Sequence, residues 1–200
     1  MIPVRIAWPL IDRTLVAVEP TAAAIAAGAP TLATAYNDPR NAPLLGHTDE
    51  LDADDVIDHY AEMADAGARQ FHLLVDDALA GDADLRGLAD GAAEFAFLIA
   101  APAAQGQGLG TRFALMIHAF GFAPPPLGAG LHTIYASVVP ANVASRRVFA
   151  KLGYVVDDSA VARGYADEPG DVVLAIDRAT FVARHGDALA AITIAARDPE

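Results

Sequence analysis

Ala93-Glu-Phe-Ala-Phe-Leu-Ile-Ala100, Gln105-Gly-Gln-Gly-Leu-Gly110 and Thr111-Arg-Phe-Ala-Leu-Met-Ile-His-Ala-Phe120 follow one another as a β-type apolar run, a glycine-rich turn and a segment of helical composition that stops at Gly121. A glycine turn between strand and helix lets backbone N–H groups converge on an anion, because glycine tolerates close approach and a helix N-terminus carries partial positive charge. A Walker-type triphosphate loop is disfavoured, since residues 105–111 contain no lysine. A dinucleotide fingerprint fails too: Gly106, Gly108 and Gly110 are spaced by two and follow a run of short strands instead of opening an early βαβ unit.

Upstream of this segment, residues 71–75, 79–88 and 93–100 are three strand-like runs at short spacing, which predict an antiparallel meander. Before them, residues 14–18 form a β-type run, and Pro20 opens an Ala-rich helix over about 21–35. A loop over 37–46 leads to Asp52-Ala-Asp-Asp55, whose acids suit the start of a helix over about 54–66. Downstream, Pro124-Pro-Pro126 precedes a strand over 133–139, and Asn142 starts a helix that carries Ser145, Phe149 and Lys151 before Gly153. Two further strands are expected around 154–156 and 172–176, and the Ala-rich end from about 186 reads as a loose helix or frayed tail. The economical organisation is one α+β domain over residues 1–200.

Composition narrows the function. The chain has 200 residues, a size that buries a full core without metal or disulfide staples. Its hydrophobic fraction of 54% contains 46 alanines, so the large apolar residues amount to an ordinary soluble core. A formal net charge of -13 repels phosphate backbones and anionic lipid, which argues against nucleic-acid and membrane partners and favours amines or basic peptides. The absence of cysteine removes thiol nucleophiles, thiolate zinc sites and disulfides, and fits a cytoplasmic protein. No signal-like N-terminus is seen, and the apolar run from Phe95 to Ala101 is far shorter than the roughly 20 residues of a membrane span. The six histidines show no ligand spacing, so no metal is expected. Asp52-Ala-Asp-Asp55 and Asp82-Ala-Asp84 read as helix capping or surface solvation, not as calcium loops. Ser137, Ser145 and Ser159 lack a nucleophile elbow.

Two blocks carry a resemblance. Gln105-x-x-Gly108-x-Gly110 is followed, in order, by Val138-Val-Pro140-Ala-Asn142-Val-Ala-Ser145 and Phe149-Ala-Lys151-Leu-Gly153-Tyr154. Together they resemble the GNAT superfamily of acyl-CoA-dependent N-acyltransferases, and the N-terminal half is similar in style to the ribosomal-protein N-terminal acetyltransferase branch. The resemblance implies a twisted, mostly antiparallel sheet of about seven strands flanked by helices and splayed where pantetheine inserts. It implies acetyl-CoA as cosubstrate, its pyrophosphate held by Gln105, Gly106, Gln107, Gly108, Leu109, Gly110 and Thr111, with Arg112 adding charge. Leu98, Ile99 and Ala100 would face the thioester, Asn142 would hydrogen-bond the pantetheine arm, and Phe149 stands where many relatives have the tyrosine that protonates the thiolate. Ser145, Tyr154 or water would substitute for that acid, or the thiolate would leave unassisted, a thiol of pKa about 8.5 being a fair leaving group. Glu94, eleven residues before Gln105, matches a catalytic glutamate of some members; an ammonium must lose a proton before it attacks a thioester.

The expected activity is acetyl transfer to a primary amine, either a peptide N-terminus or a small molecule, by direct attack in a ternary complex. The alternative is a CoA-binding sensor that kept the fold and lost transfer. The first two helices would wall the acceptor site, with Asp38, Glu50, Asp54, Asp55, Asp58 and Glu62 available to a cation or simply solvated. An exposed edge strand leaves room for a homodimer.

Overall fold

A computed structural model describes residues 2–45, 49–100 and 105–197. In chain order its elements are β1 (Val4–Pro9), β2 (Thr14–Val18), α1 (Ala22–Tyr36), α2 (Ala42–Leu45), α3 (Ala53–Asp65), β3 (Arg69–Val75), β4 (Ala78–Ala89), β5 (Ala92–Ile99), α4 (Leu109–Phe122), β6 (Thr133–Val138), α5 (Val143–Leu152), β7 (Val155–Val156), α6 (Ala160–Arg163), β8 (Val172–Asp177), α7 (Arg178–Leu189) and β9 (Thr193–Ala196). Local chemistry explains the boundaries. Thr21 caps α1 by accepting from Ala24 N–H, and Asp52 with Asp55 forms a reciprocal capping box on α3. The meander turns tightly at Asp76-Asp77 and Asp90-Gly91, all four residues at positive φ, as two-residue hairpins require.

The strands form one sheet in the order β7-β8-β6-β5-β4-β3-β2-β1-β9. All pairs are antiparallel except β5 with β6. The α+β architecture is the one expected, but the sheet has nine strands instead of about seven. The two additions, β1 and β9, lie together at one edge. Prolines at 3 and 9 obscure β1 in the sequence, although Val4 and Ile6 alternate inward and are fully buried. The C-terminal stretch, expected as a loose helix or frayed tail, is the end of α7 followed by β9 paired to β1. Alanine-rich composition favours helix, and register against β1 overrides it. Helix α1 also runs through Pro30, held by its packing against α3 and the sheet.

Alternation divides the central strands between two cores. Phe71, Leu73, Leu85 and Phe95 face α4, whose side chains are buried along most of its length. His72, Asp82 and Leu98 face the other way, toward Tyr60, Leu32 and Val56 of the α1 and α3 layer. The second face is therefore partly polar.

Candidate active site

Strand β6 runs beside β5 only at Ala92, Ala93 and Glu94, opposite Thr133, Ile134 and Tyr135, and then follows β8. From Phe95 onward that edge of β5 has no neighbouring strand. Ala100 donates its N–H to Ala80 O on the β4 side at 2.8 Å, so alternation directs the N–H groups of Ile99 and Phe97 to the open side. Gln105 Nε2 donates to Ile99 O at 3.0 Å and ties the glycine turn to the end of the strand. Gly106 and Gly108 sit at φ +75 and +76, in the left-handed region where a side chain is costly. No side chain caps α4, so its first N–H groups are available to an external acceptor.

A cavity of about 500 Å³ opens at this point. Its wall includes Gln105, Gly106, Gly108, Leu109, Gly110, Thr111, Asn142 and Ser145, with Leu98 and Ile99 at its inner end. Arg40, Arg147 and Lys151 also line it, and no acid does among the described residues. Arg147 and Lys151 lie four residues apart on α5, and Arg40 joins them from the loop between α1 and α2, a convergence that the sequence does not show. Gln107 is turned aside to accept from Arg13 Nη1 at 2.8 Å, and Arg112 stacks over Trp8 at 6.0 Å instead of lining the cavity. Ala100 is likewise absent from the wall, its N–H already used.

A second cavity of about 350 Å³ continues between β5 and β6. Phe95, Phe97 and Phe149 form its apolar floor, and Ser145 belongs to both cavities. Asn142 Oδ1 caps α5 by accepting from Ser145 N–H at 3.0 Å, which leaves its amide N–H groups for the cavity. Tyr154 is buried, and its hydroxyl meets His118 Nε2 inside the core. It is thus directed away from both cavities.

Glu94 is buried and bound by Arg86 in a two-point pair, Nε to Oε2 at 3.0 Å and Nη2 to Oε1 at 2.8 Å. Arg86 Nη2 also reaches both oxygens of Asp167, at 3.0 and 2.9 Å. Both Glu94 oxygens thus accept from a guanidinium, which occupies them in a charge-assisted pair. Beside this pair, a third cavity of about 320 Å³ lies between β4, β5 and the α1 and α3 layer. Asp82 and Asp84 line it with Tyr36, His59 and Arg86.

These two aspartates overturn their sequence reading as capping or surface solvation: they sit mid-strand on β4, facing a cavity. Burial raises Asp82 to about 6, against the lowering effect of the Tyr36 and Tyr60 hydroxyls that donate to it. Burial raises Asp84 to about 7; Arg86 opposes this, and the negative Asp82, Glu94 and Asp167 add to it. Two acids at i and i+2 inside an Ala- and Leu-rich strand was the available signal. The helix acids expected to attract a cation do not line this cavity; Asp55 completes a capping box and Asp38 pairs with Arg40.

Among the described residues, no group of three or more His, Asp or Glu is arranged to hold a metal, and no helix is long and apolar enough to cross a membrane. His47 lies outside the described residues.

A sequence model described as an acetyltransferase (GNAT) domain matches residues 19–155. No curated protein matches the sequence. Among solved structures, Mycobacterium smegmatis RimJ in complex with CoA-disulfide is similar with a TM-score of 0.73 at 16% identity, over 94% of this chain and 97% of that one. The aminoglycoside acetyltransferase AAC(6')-Ib in complex with coenzyme A gives 0.69 at 17% identity, over 84% and 98%. Spermidine N-acetyltransferase from Vibrio cholerae in complex with CoA and spermine gives 0.65 at 19% identity, over 85% and 98%. With well over half of its length matched in sequence and the same splayed sheet beneath it, the chain belongs to the GNAT acetyltransferase family.

Proposed function

We propose that the protein transfers the acetyl group of acetyl-CoA to a primary amine by direct attack in a ternary complex. The observation that carries this reading is the uncapped N-terminus of α4, with left-handed Gly106 and Gly108 before it, opening onto the edge of β5 that β6 has left. Such a terminus offers several N–H donors and a partial positive charge to a pyrophosphate. Arg40, Arg147 and Lys151 add positive charge along the same cavity, against the sign of the molecule as a whole. The donor set therefore fits an anionic cosubstrate, and complexes of similar folds with CoA support the assignment.

Acetyl-CoA would supply the acyl group and the thiolate leaving group. Gln105, Gly106, Gly108, Gly110 and Thr111 bind the pyrophosphate; Asn142 holds the pantetheine arm with its free amide. The N–H groups of Phe97 and Ile99 face the thioester oxygen and stabilise the charge that develops there. This moves the contact away from Ala100. Ser145, half-buried at the junction of the two cavities, donates toward the departing sulfur in place of the tyrosine that Phe149 replaces. Glu94 anchors Arg86. The acceptor is an amine because acids dominate the far end of the cleft, and spermine and aminoglycoside partners of similar folds are amines as well.

A thermal-shift titration with acetyl-CoA and free CoA tests the cosubstrate. At about 100-fold over the dissociation constant a ligand adds roughly 2.7 kcal/mol, a rise of about 5–10 °C for a domain of this size. No saturable shift with either would overturn the reading. Release of CoA in the presence of an amine then separates an enzyme from a CoA-binding sensor, and the absence of cysteine leaves no thiol background.

A further inference from the structure

The carboxylates around the acceptor end of the cleft are almost all engaged. Glu94 gives both oxygens to Arg86, and Asp167 gives both to the same guanidinium. Asp82 Oδ2 accepts from the hydroxyls of Tyr36 and Tyr60, the latter at 3.1 Å, and Asp171 Oδ2 accepts from Ser137 at 2.9 Å. Asp84 differs. Its Oδ1 is buried against Arg86 Nε, 3.9 Å away, with no hydrogen-bond partner among the described residues, while the side chain as a whole keeps 20% of its surface, on the wall of the cavity of about 320 Å³. A buried acceptor left open in this way costs stability unless something else occupies it.

The exposed part of the carboxyl faces that cavity, and its position gives it a use. Asp84 pairs in register with Ala96, and both line the same cavity. Ala96 and Phe97 line both the cavity that holds Asp84 and the cavity floored by Phe95 and Phe149. An amine seated against Asp84 is thus adjacent to the open edge of β5, where the thioester is placed above. We infer that Asp84, and not Glu94, takes the proton from the acceptor ammonium; the inference rests on the acetyltransferase reading and deepens it.

The surroundings suit that task from every side. On β4 the neighbours are Asp82 and Arg86; on β5, Glu94, which with Asp167 consumes the guanidinium charge. Helix α3 presents His59, lowered by burial and by Arg86 against the opposing Glu62, and Tyr60; helix α1 presents Tyr36, and both tyrosines are pushed well up by burial and stay protonated. Strand β3 contributes uncharged Gln70 opposite Asp84, and His72, lowered by burial to about 4. The local balance is negative, with Arg86 facing Asp84, Glu94 and Asp167. Asp84 itself is raised to about 7, where a base both exists as the anion and accepts a proton readily.

In the step, the ammonium gives one proton to Asp84 and its lone pair attacks the thioester carbon. The C–N bond forms, the C–S bond breaks and the electron pair leaves on sulfur. The second nitrogen proton ends on sulfur as the CoA thiol, and Asp84 returns its own to water.

The test compares wild type, Asp84→Asn and Glu94→Gln with acetyl-CoA and three probes: spermine, kanamycin and a peptide with a free N-terminal amine. CoA release is followed with a thiol reagent from about pH 5.5 to about 9. The expected wild-type kcat falls tenfold per unit below about pH 7; Asp84→Asn lowers kcat by roughly 100-fold or more and removes that limb, with the acetyl-CoA thermal shift retained. Glu94→Gln keeps the limb. A rate for Asp84→Asn within about threefold of wild type, limb intact, overturns the inference. So does a wild type that binds acetyl-CoA and acetylates none of the probes, since a base then has no transfer to serve. Failure to bind acetyl-CoA sinks the acetyltransferase reading instead. Should Asp84→Asn not fold, carbon-detected NMR of the wild-type Asp84 carboxyl decides: titration near pH 7 supports the assignment, and titration near the ordinary value of about 4 overturns it.

Discussion

Arg86 is the charge on which the acidic end of the cleft depends. It neutralises Glu94 and Asp167 and restrains Asp84, so its loss leaves a buried Glu94 with no counter-charge. Breaking a fully buried pair costs about 3–5 kcal/mol; with Arg86 about a quarter exposed, we expect Arg86→Ala to cost roughly 2–3 kcal/mol in a urea titration. Arg86→Met with Glu94→Gln should recover most of that loss, because the stranded charge is removed with its partner. The residue scale is also where the sequence was least legible. The positive-φ turn at Gly106 and Gly108 was legible because it is local backbone chemistry. The burial of Asp84 was not, because it depends on α1 and α3 folding over β4, and the pairing of Glu94 with Arg86 was not, because the two lie on different strands.

At the scale of elements, the turn into α4 combines two demands on glycine that can be separated. A Cβ at Gly108 would meet no atom within 4 Å, so Gly108→Ala is opposed by φ +76 alone. The expected cost is about 1–2 kcal/mol of stability, together with a weaker acetyl-CoA shift as the N–H groups of the turn reorient. Titrating the variant by thermal shift reads both effects. The strand, glycine turn and helix were evident from periodicity, as were α5 and the meander. The divergence of β6 from β5 was not: a parallel contact only three residues long leaves no pattern of its own in either strand. Strands β1 and β9 were hidden for a related reason, each short and proline-flanked or alanine-rich, with β9 paired only to β1 at the sheet edge.

For the whole molecule, two sets of buried groups oppose each other as pH changes. Asp82 and Asp84 have folded values near 6 and 7, above their unfolded value of 3.8, so they take up protons on folding and add stability as pH falls. His72 and His118 are lowered by burial to about 4 and about 3, below the unfolded 6.5, so the stability they contribute is lost as pH falls; His59 acts in the same direction. Set against each other, the gains of Asp82 and Asp84 and the losses of His72, His118 and His59 keep the change of the thermal midpoint shallow between about pH 6 and about pH 4.5. Asp84→Asn removes one gain. Its midpoint should then drop on acidification by roughly 1.4 kcal/mol per pH unit, or about 3–5 °C, which differential scanning calorimetry resolves.

The seam between β5 and β6 has a further consequence. Every other neighbouring pair of long strands is joined along most of its length, whereas these two share three residue pairs. Tension drawn across the sheet must therefore concentrate at one line, as stress does at a notch in a plate. Helix α4 packs on β1, β2 and β5 to one side of that line and on β6 to the other, and acts as a rivet loaded in shear. Under a pulling force the sheet should part along the cleft before any hairpin unzips, and a molecule wedged into the notch would bear part of the load.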